Sequence, residues 1–187
     1  MIVTVTSFSG FVLRKVFYST PSRLIGHRLR VRLYDDRLEV FLGASLRMTA
    51  PRGRAHANGK HGHVVNYRHV IDSLRRRPMA LMGLVYRDKL FPRQAFARAF
   101  EAMIANLHTR TAYRTMVDLL ALAHDRACEA QPGERLAQDL DDGQLPDMNI
   151  LRALFAPDTG ALPEIVILPT PLSVYDELTA GFTAVAA

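Results

Sequence analysis

The chain has 187 residues, a formal net charge of +6 and an apolar content of 49%; that supports a real core and, beside 22% charged residues, excludes a disordered polymer. A single cysteine, Cys128, excludes an internal disulfide and points to a reducing, cytoplasmic setting. No apolar run approaches the roughly 20 residues that span a bilayer, and Met1–Thr6 lacks the basic flank and long apolar run of a signal peptide, so no membrane partner is expected.

The first 50 residues read as short strands separated by turns. Ile2, Val3 and Val5 open one strand, and Ser7-Phe8-Ser9-Gly10 turns it. Phe11-Val12-Leu13 and Val16-Phe17-Tyr18 follow, then Thr20-Pro21-Ser22 breaks the run. Next comes an alternating stretch in which Leu29, Val31 and Leu33 share one face while Arg28, Arg30 and Arg32 form a row on the other. Asp35-Asp36 turns the chain, and Leu38, Val40 and Leu42 resume the alternation. Pairing Leu33 with Leu38 sets Val31 opposite Val40 and Arg32 opposite Glu39, so the hairpin is consistent on both faces. After Gly43-Ala44-Ser45, Leu46 and Met48 lead to a stop at Pro51. Five short strands in so few residues predict a small antiparallel SH3-like β-barrel over 1–50.

Residues 51–65, rich in glycine and basic side chains, read as a basic linker. From Asn66, a candidate cap, the period becomes helical: Tyr67, Val70, Ile71 and Leu74 share a face, and Pro78 stops the helix after Arg75-Arg76-Arg77. Pro92 suits the first turn of a helix striped by Phe96, Phe100, Met103, Ile104 and Leu107. A further helix is striped by Tyr113, Met116, Val117, Leu120 and Ala127 and is expected to end before Pro132-Gly133, making a helical hairpin with the one before it. Pro146 to Phe155 fits one more short helix, closing a helical domain over 66–160. An extended tail over 161–187 carries Ile165-Val166-Ile167-Leu168 between prolines, suited to adding to an edge strand or lying in a groove. The expected fold class is α+β, a small barrel followed by an α-helical region.

Charge divides the chain sharply. Residues 1–77 carry 15 Lys+Arg against 4 Asp+Glu, a balance of +11, and residues 78–187 carry 9 against 14, a balance of −5. A basic leading part suits phosphate neutralisation, with DNA as its partner, and the acidic part does not. The candidate DNA-binding residues are Arg14 and Lys15 between two strands, Arg23 after the Thr20-Pro21-Ser22 turn, the Arg28, Arg30 and Arg32 row, and Arg52, Arg54 and Lys60 in the linker. Tyr18 and Tyr34 are candidates for stacking or for hydrogen bonds to phosphate. Arg75-Arg76-Arg77 is explained as well by the dipole at a helix C-terminus as by a polyanion.

No Walker loop, GxGxxG or GxSxG occurs, and nothing assembles a nucleophile, its base and an oxyanion site, so no catalytic residue is assigned. Asp35, Asp36 and Glu39 are explained by the turn and by the arginines beside them. His56, His61, His63 and His69 cluster loosely but lack metal-ligand spacing, so no metal and no cofactor is expected.

Several segments carry a family likeness: Lys15-Val16-Phe17-Tyr18-Ser19-Thr20-Pro21-Ser22-Arg23-Leu24-Ile25-Gly26, Leu29 to Phe41, His61-Gly62-His63-Val64-Val65-Asn66-Tyr67-Arg68-His69-Val70-Ile71, Ala80-Leu81-Met82-Gly83-Leu84-Val85-Tyr86-Arg87-Asp88, and Pro171-Leu172-Ser173-Val174-Tyr175-Asp176-Glu177-Leu178. Together they resemble the C-terminal part of bacterial insertion-sequence transposases of the IstA type, within the Mu-transposase/integrase-like superfamily. These are the larger proteins of two-gene elements that also encode an ATP-hydrolysing helper, IstB. The resemblance implies a barrel that follows the catalytic core and binds element-end DNA, and a helical region that takes part in assembly. A homo-oligomer and an IstB-like ATPase are then the protein partners. The family's RNase H-like domain, which holds metals with two aspartates and a glutamate, and its helix-turn-helix have no counterpart in these residues. No catalytic residue therefore carries over, and the chain is expected to be a truncated, non-catalytic copy. The alternative is a protein-interaction module, its helices and tail binding a second copy or the helper ATPase.

Overall fold

A computed structural model of the chain describes residues 1–55 and 61–156. Alternating apolar residues build seven strands in the first part: β1 (Ile2–Thr4), β2 (Gly10–Leu13), β3 (Val16–Ser19), β4 (Arg28–Leu33), β5 (Arg37–Leu42), β6 (Ser45–Pro51) and β7 (Gly62–Val64). They form a four-stranded sheet in the order β1-β4-β5-β6 and a three-stranded sheet in the order β2-β3-β7. The β4–β5 hairpin has the expected register: Leu33 faces Leu38, Val31 faces Val40 and Arg32 faces Glu39. A register shift between Val40 and Phe41 bends β5 against β6.

Both sheets fill one core, with Val5, Phe11, Val16, Tyr18, Leu29, Val31, Leu38 and Val40 among its buried residues. Among the described residues the strands form two separately bonded sheets, and no closed ring of strands is detected. All sheet pairings are antiparallel except β3 with β7, which runs parallel, Val16 facing Gly62 and Tyr18 facing Val64. The segment read as a linker is thus partly sheet. Two glycines make this possible by close approach. A Cβ at Gly62 would lie 2.3 Å from the Arg54 carbonyl oxygen, and one at Gly53 would lie 2.7 Å from both Val16 and Val64.

The helices are α1 (Ile71–Arg76), α2 (Gln94–Asn106), α3 (Thr109–Asp125), α4 (Ala130–Asp141) and α5 (Met148–Leu154). Asn66 does cap, its side chain accepting from the Arg68 amide at 3.0 Å, but what it caps is a 3₁₀ turn at Tyr67–His69 that leads into α1. The predicted apolar stripes meet in a second core: Phe96, Phe100 and Met103 of α2, Tyr113, Met116, Val117 and Leu120 of α3, Leu136 of α4 and Leu151 of α5. Burying each such side chain contributes about 1.5–3 kcal/mol.

Two of the predicted stripe residues need correction. Ile104 faces solvent, 44% exposed, and Ala127 lies beyond the end of α3, exposed and with φ of +50°. The third helix does end before Pro132-Gly133, at Asp125, but that pair is no break: it lies in the first turns of α4, where proline's missing N–H is tolerated. The strand and helix parts meet directly. Phe17 stacks on Tyr86 with ring centroids 4.8 Å apart, and the Tyr86 hydroxyl donates to the Phe8 carbonyl at 2.7 Å. The extended tail expected over 161–187 lies outside the described residues.

Candidate nucleic-acid interface

Period-two alternation leaves Arg28, Arg30 and Arg32 exposed on the outer face of β4 while Leu29 and Val31 are buried. Same-face neighbours along a strand stand about 6.8 Å apart, so the three side chains make an even row. Arg30 and Arg32 lie over one aromatic ring, their guanidinium carbons 5.1 and 4.9 Å from the Phe41 centroid, which places them no more than 10 Å from each other. Phe41 sits on β5 opposite Arg30 and is only 9% exposed, because the guanidiniums roof it. Such stacking contributes about 0.5–1 kcal/mol at an exposed site and holds the charged groups upright.

None of the three arginines forms an ion pair with a carboxylate among the described residues. Glu39, directly opposite Arg32, is taken elsewhere: it accepts from the Tyr34 hydroxyl at 3.2 Å and pairs with Arg37 at 3.5 Å. The row therefore keeps its charge. Phe41 was missed as part of this face, although the hairpin register already puts it opposite Arg30.

Beyond the end of β4, other predicted residues come together. Arg14 and Lys15 form the two-residue β2–β3 turn with φ of +49° and +62°, a conformation for which asparagine and glycine are favoured. Arg14, Arg52 and Arg54 line a cleft of about 660 Å³, and Arg14, Arg32 and Arg52 line an adjoining one of about 680 Å³. Arg52 is partly committed, donating to the Tyr34 carbonyl at 3.2 Å and to Asp35 at 3.3 Å, so it also fastens the β4–β5 turn. Arg23 is exposed on the 3₁₀ turn Ser22–Leu24 and lines neither cleft. Lys60 lies outside the described residues.

The two tyrosines do not stand ready for stacking. Tyr18 is 2% exposed and accepts from the Gly53 amide at 3.0 Å, while Tyr34 carries Arg37 over its ring at 4.6 Å. Arg47, absent from the predicted set, is exposed on β6 beside the register shift. Arg75 is explained within the fold, donating to the Ala121 carbonyl at 3.1 Å and pairing with Asp125 at the C-terminal end of α3.

Where the strand and helix parts join, several polar groups pair, while Thr20 Oγ1 and His124 Nδ1 are buried without a hydrogen-bond partner among the described residues. Glu129 accepts from the Tyr67 hydroxyl and from Arg68, each at 2.8 Å. Burial, helped by that carboxylate, pushes the Tyr67 phenol up to about 12. Burial alone raises Glu129, but the hydrogen bonds from Tyr67 and Arg68 outweigh it and hold the carboxyl below its ordinary range. His69 pairs through Nδ1 with Ser19 Oγ at 2.9 Å, and burial holds its imidazole below the ordinary value. His61 is exposed, His63 packs against Phe17, and His56 lies outside the described residues. Among the described residues no group of three or more His, Cys, Asp or Glu stands where it could hold a metal ion, and no helix is long and apolar enough to cross a membrane.

No protein-family model and no solved structure matches the chain. Among curated proteins it is 58% identical over 178 residues to the uncharacterized protein y4jA/y4nE/y4sE of Sinorhizobium fredii (strain NBRC 101917 / NGR234). The matched stretch covers 95% of this chain and 35% of that protein, so the chain spans about a third of the length of the curated relative it matches.

Proposed function

We propose that this chain is the DNA-holding and assembly portion of a transposase of the IstA type, which grips duplex DNA without sequence preference and does no strand cutting itself. The reading includes an SH3-like barrel as the gripping module, supported by the single core that the two sheets share. One observation carries the proposal: Arg28, Arg30 and Arg32 stand in a row without carboxylate partners, two of them propped on Phe41. Unneutralised like charges held close together repel, and a line of phosphates relieves that repulsion while releasing counterions. Guanidiniums in a row on a sheet face suit phosphate oxygens rather than base edges, so they position DNA without reading it.

The test is a titration of duplex DNA across a salt series. With six to ten phosphate contacts, affinity falls by about 10³–10⁵ between roughly 50 and 200 mM salt. A flat salt dependence, or no binding at the low end, overturns the proposal.

A second reading, self-association or docking of an IstB-like ATPase, draws on Met79, Met82 and Val85, which are 39%, 47% and 78% exposed along one short stretch after α1. Sedimentation of the whole chain at several concentrations tests the self-association branch, and a strictly monomeric species removes it.

A further inference from the structure

We infer that the cleft beneath the Arg14-Lys15 turn is a second seat, taking one phosphate-bearing nucleotide of an unpaired DNA strand. This rests on the nucleic-acid reading for its partner, but it differs in what it accepts: an unpaired stretch or strand end rather than the duplex surface that the β4 row suits. Three features of the cleft point the same way.

The first is a buried donor. Tyr18 lines the cleft, is 2% exposed, and uses its oxygen to accept from the Gly53 amide at 3.0 Å. Its hydroxyl proton finds no acceptor among the described residues, so a nearly buried O–H is left to donate into the cleft. The second is charge held in place. Arg14 and Arg54 have no carboxylate partner among the described residues, whereas Asp35 pairs with Arg52 and Asp36 pairs with Arg37. Gly53 and Gly62 clamp the Arg52-to-Arg54 segment against β3 and β7, because any side chain at either glycine would collide with its neighbours. Arg14 is presented from a left-handed turn that is strained for any residue with a Cβ, and strain of that kind is retained where a side chain's aim matters.

The third feature is size. A cleft of about 660 Å³ lies within the usual range for small-molecule sites and admits a nucleotide but not a double helix. Leu13 and Leu33 give it an apolar wall for a sugar or base; Asp35 and Asp36 also line it, but each is paired, with Arg52 and Arg37 respectively, which leaves Arg14 and Arg54 to meet phosphate oxygens. Arg32 lines the adjoining cleft together with Arg14, so the β4 row leads directly toward the seat.

Fluorescence anisotropy with the full chain separates the two sites. The probes are a labelled short single strand with a 5′-phosphate, the same strand with a 5′-hydroxyl, the blunt duplex of that sequence, and inorganic phosphate as competitor. Tyr18→Phe is expected to weaken single-strand binding about 5–10-fold while leaving duplex binding within about twofold. Arg14→Asn, which also removes one candidate duplex contact, is expected to weaken single-strand binding about 5–10-fold and duplex binding by clearly less. Arg14→Asn also relieves the left-handed strain, so its melting temperature should hold or rise, and a loss of binding then cannot be put down to unfolding even if Tyr18→Phe folds poorly.

Equal weakening of single strand and duplex by Arg14→Asn, or no weakening of either, overturns the inference. So does displacement of the strand by low millimolar inorganic phosphate, which marks a general anion site. If the unaltered chain binds duplex but not single strands, the seat falls and the duplex-holding proposal stands. If it binds neither, both fall.

Discussion

Arginine does different work in the two parts of this molecule. In the helical part six of the twelve arginines are paired with a carboxylate, among them Arg68 with Glu129, Arg75 with Asp125, Arg98 with Asp141, Arg135 with Asp139 and Arg152 with Asp118, and the other six neither pair nor lie over a ring among the described residues. Most of these pairs are solvent-exposed and contribute at most about 1 kcal/mol each. On β4 the same residue type stands over an aromatic ring with no carboxylate at hand. The distinction is one of context rather than composition, since Glu39 is close enough to serve and is drawn off by Tyr34 and Arg37. A positive charge signals a partner only when the fold leaves it unanswered.

Perturbing each part should therefore damage a different property. Phe96→Ala, at a fully buried α2 position, is expected to lower unfolding free energy by about 3–5 kcal/mol in urea titrations. Converting Arg28, Arg30 and Arg32 together to glutamate should do the reverse: duplex affinity at low salt falls by about 100-fold or more, equally for all sequences, while stability falls by only about 1–2 kcal/mol, the worth of the two contacts with Phe41. A large stability loss in that triple variant would mean the row serves the fold, and the contrast would vanish.

Glu129→Gln tests whether the pairs of the helical part are as modest as their exposure implies. It keeps shape and one hydrogen-bond acceptor, so a loss of about 1 kcal/mol is expected, with DNA affinity unchanged. The smallest effect is on pH. Burial depresses the His69 imidazole below 6.5, so the unfolded chain binds that proton more readily than the folded one. Stability is full above pH 6.5 and is lost as pH falls below it, until the folded imidazole itself protonates. Glu129, held below 4.5, adds a separate loss only as pH falls below that value. Urea midpoints measured from pH 8 to pH 4 should show the upper step, and His69→Gln should remove it.

What could be read from the sequence was whatever local periodicity encodes. The β4–β5 register followed from alternation and one turn, and the α2 and α3 stripes followed from helical spacing. Two elements escaped for physical reasons. Gly62–Val64 joins β3 in parallel, a pairing between segments far apart in the chain that leaves no turn signal, and its neighbours are glycine and histidine rather than a run of β-branched residues. At α4, Pro132-Gly133 reads as a terminator, yet proline is harmless in a first turn. At Gly133 a Cβ would lie 3.0 Å from Cδ of Arg93, just ahead of α2, so a larger residue would require that arginine to shift by a few tenths of an ångström. Of the candidate site, the β4 row was legible and its aromatic support was not. The gathering of Arg14, Arg52 and Arg54 depends on tertiary packing that no local pattern announces.

The late return of β7 has a practical corollary for anyone dissecting the chain. Trimming after β6, where the early strands seem to finish, would strip β3 of its outer neighbour and leave an open, adhesive seam beside Phe17. The smallest autonomous piece must therefore run past Val64, so the borrowed strand makes the gripping half inseparable from the sequence that enters the helices.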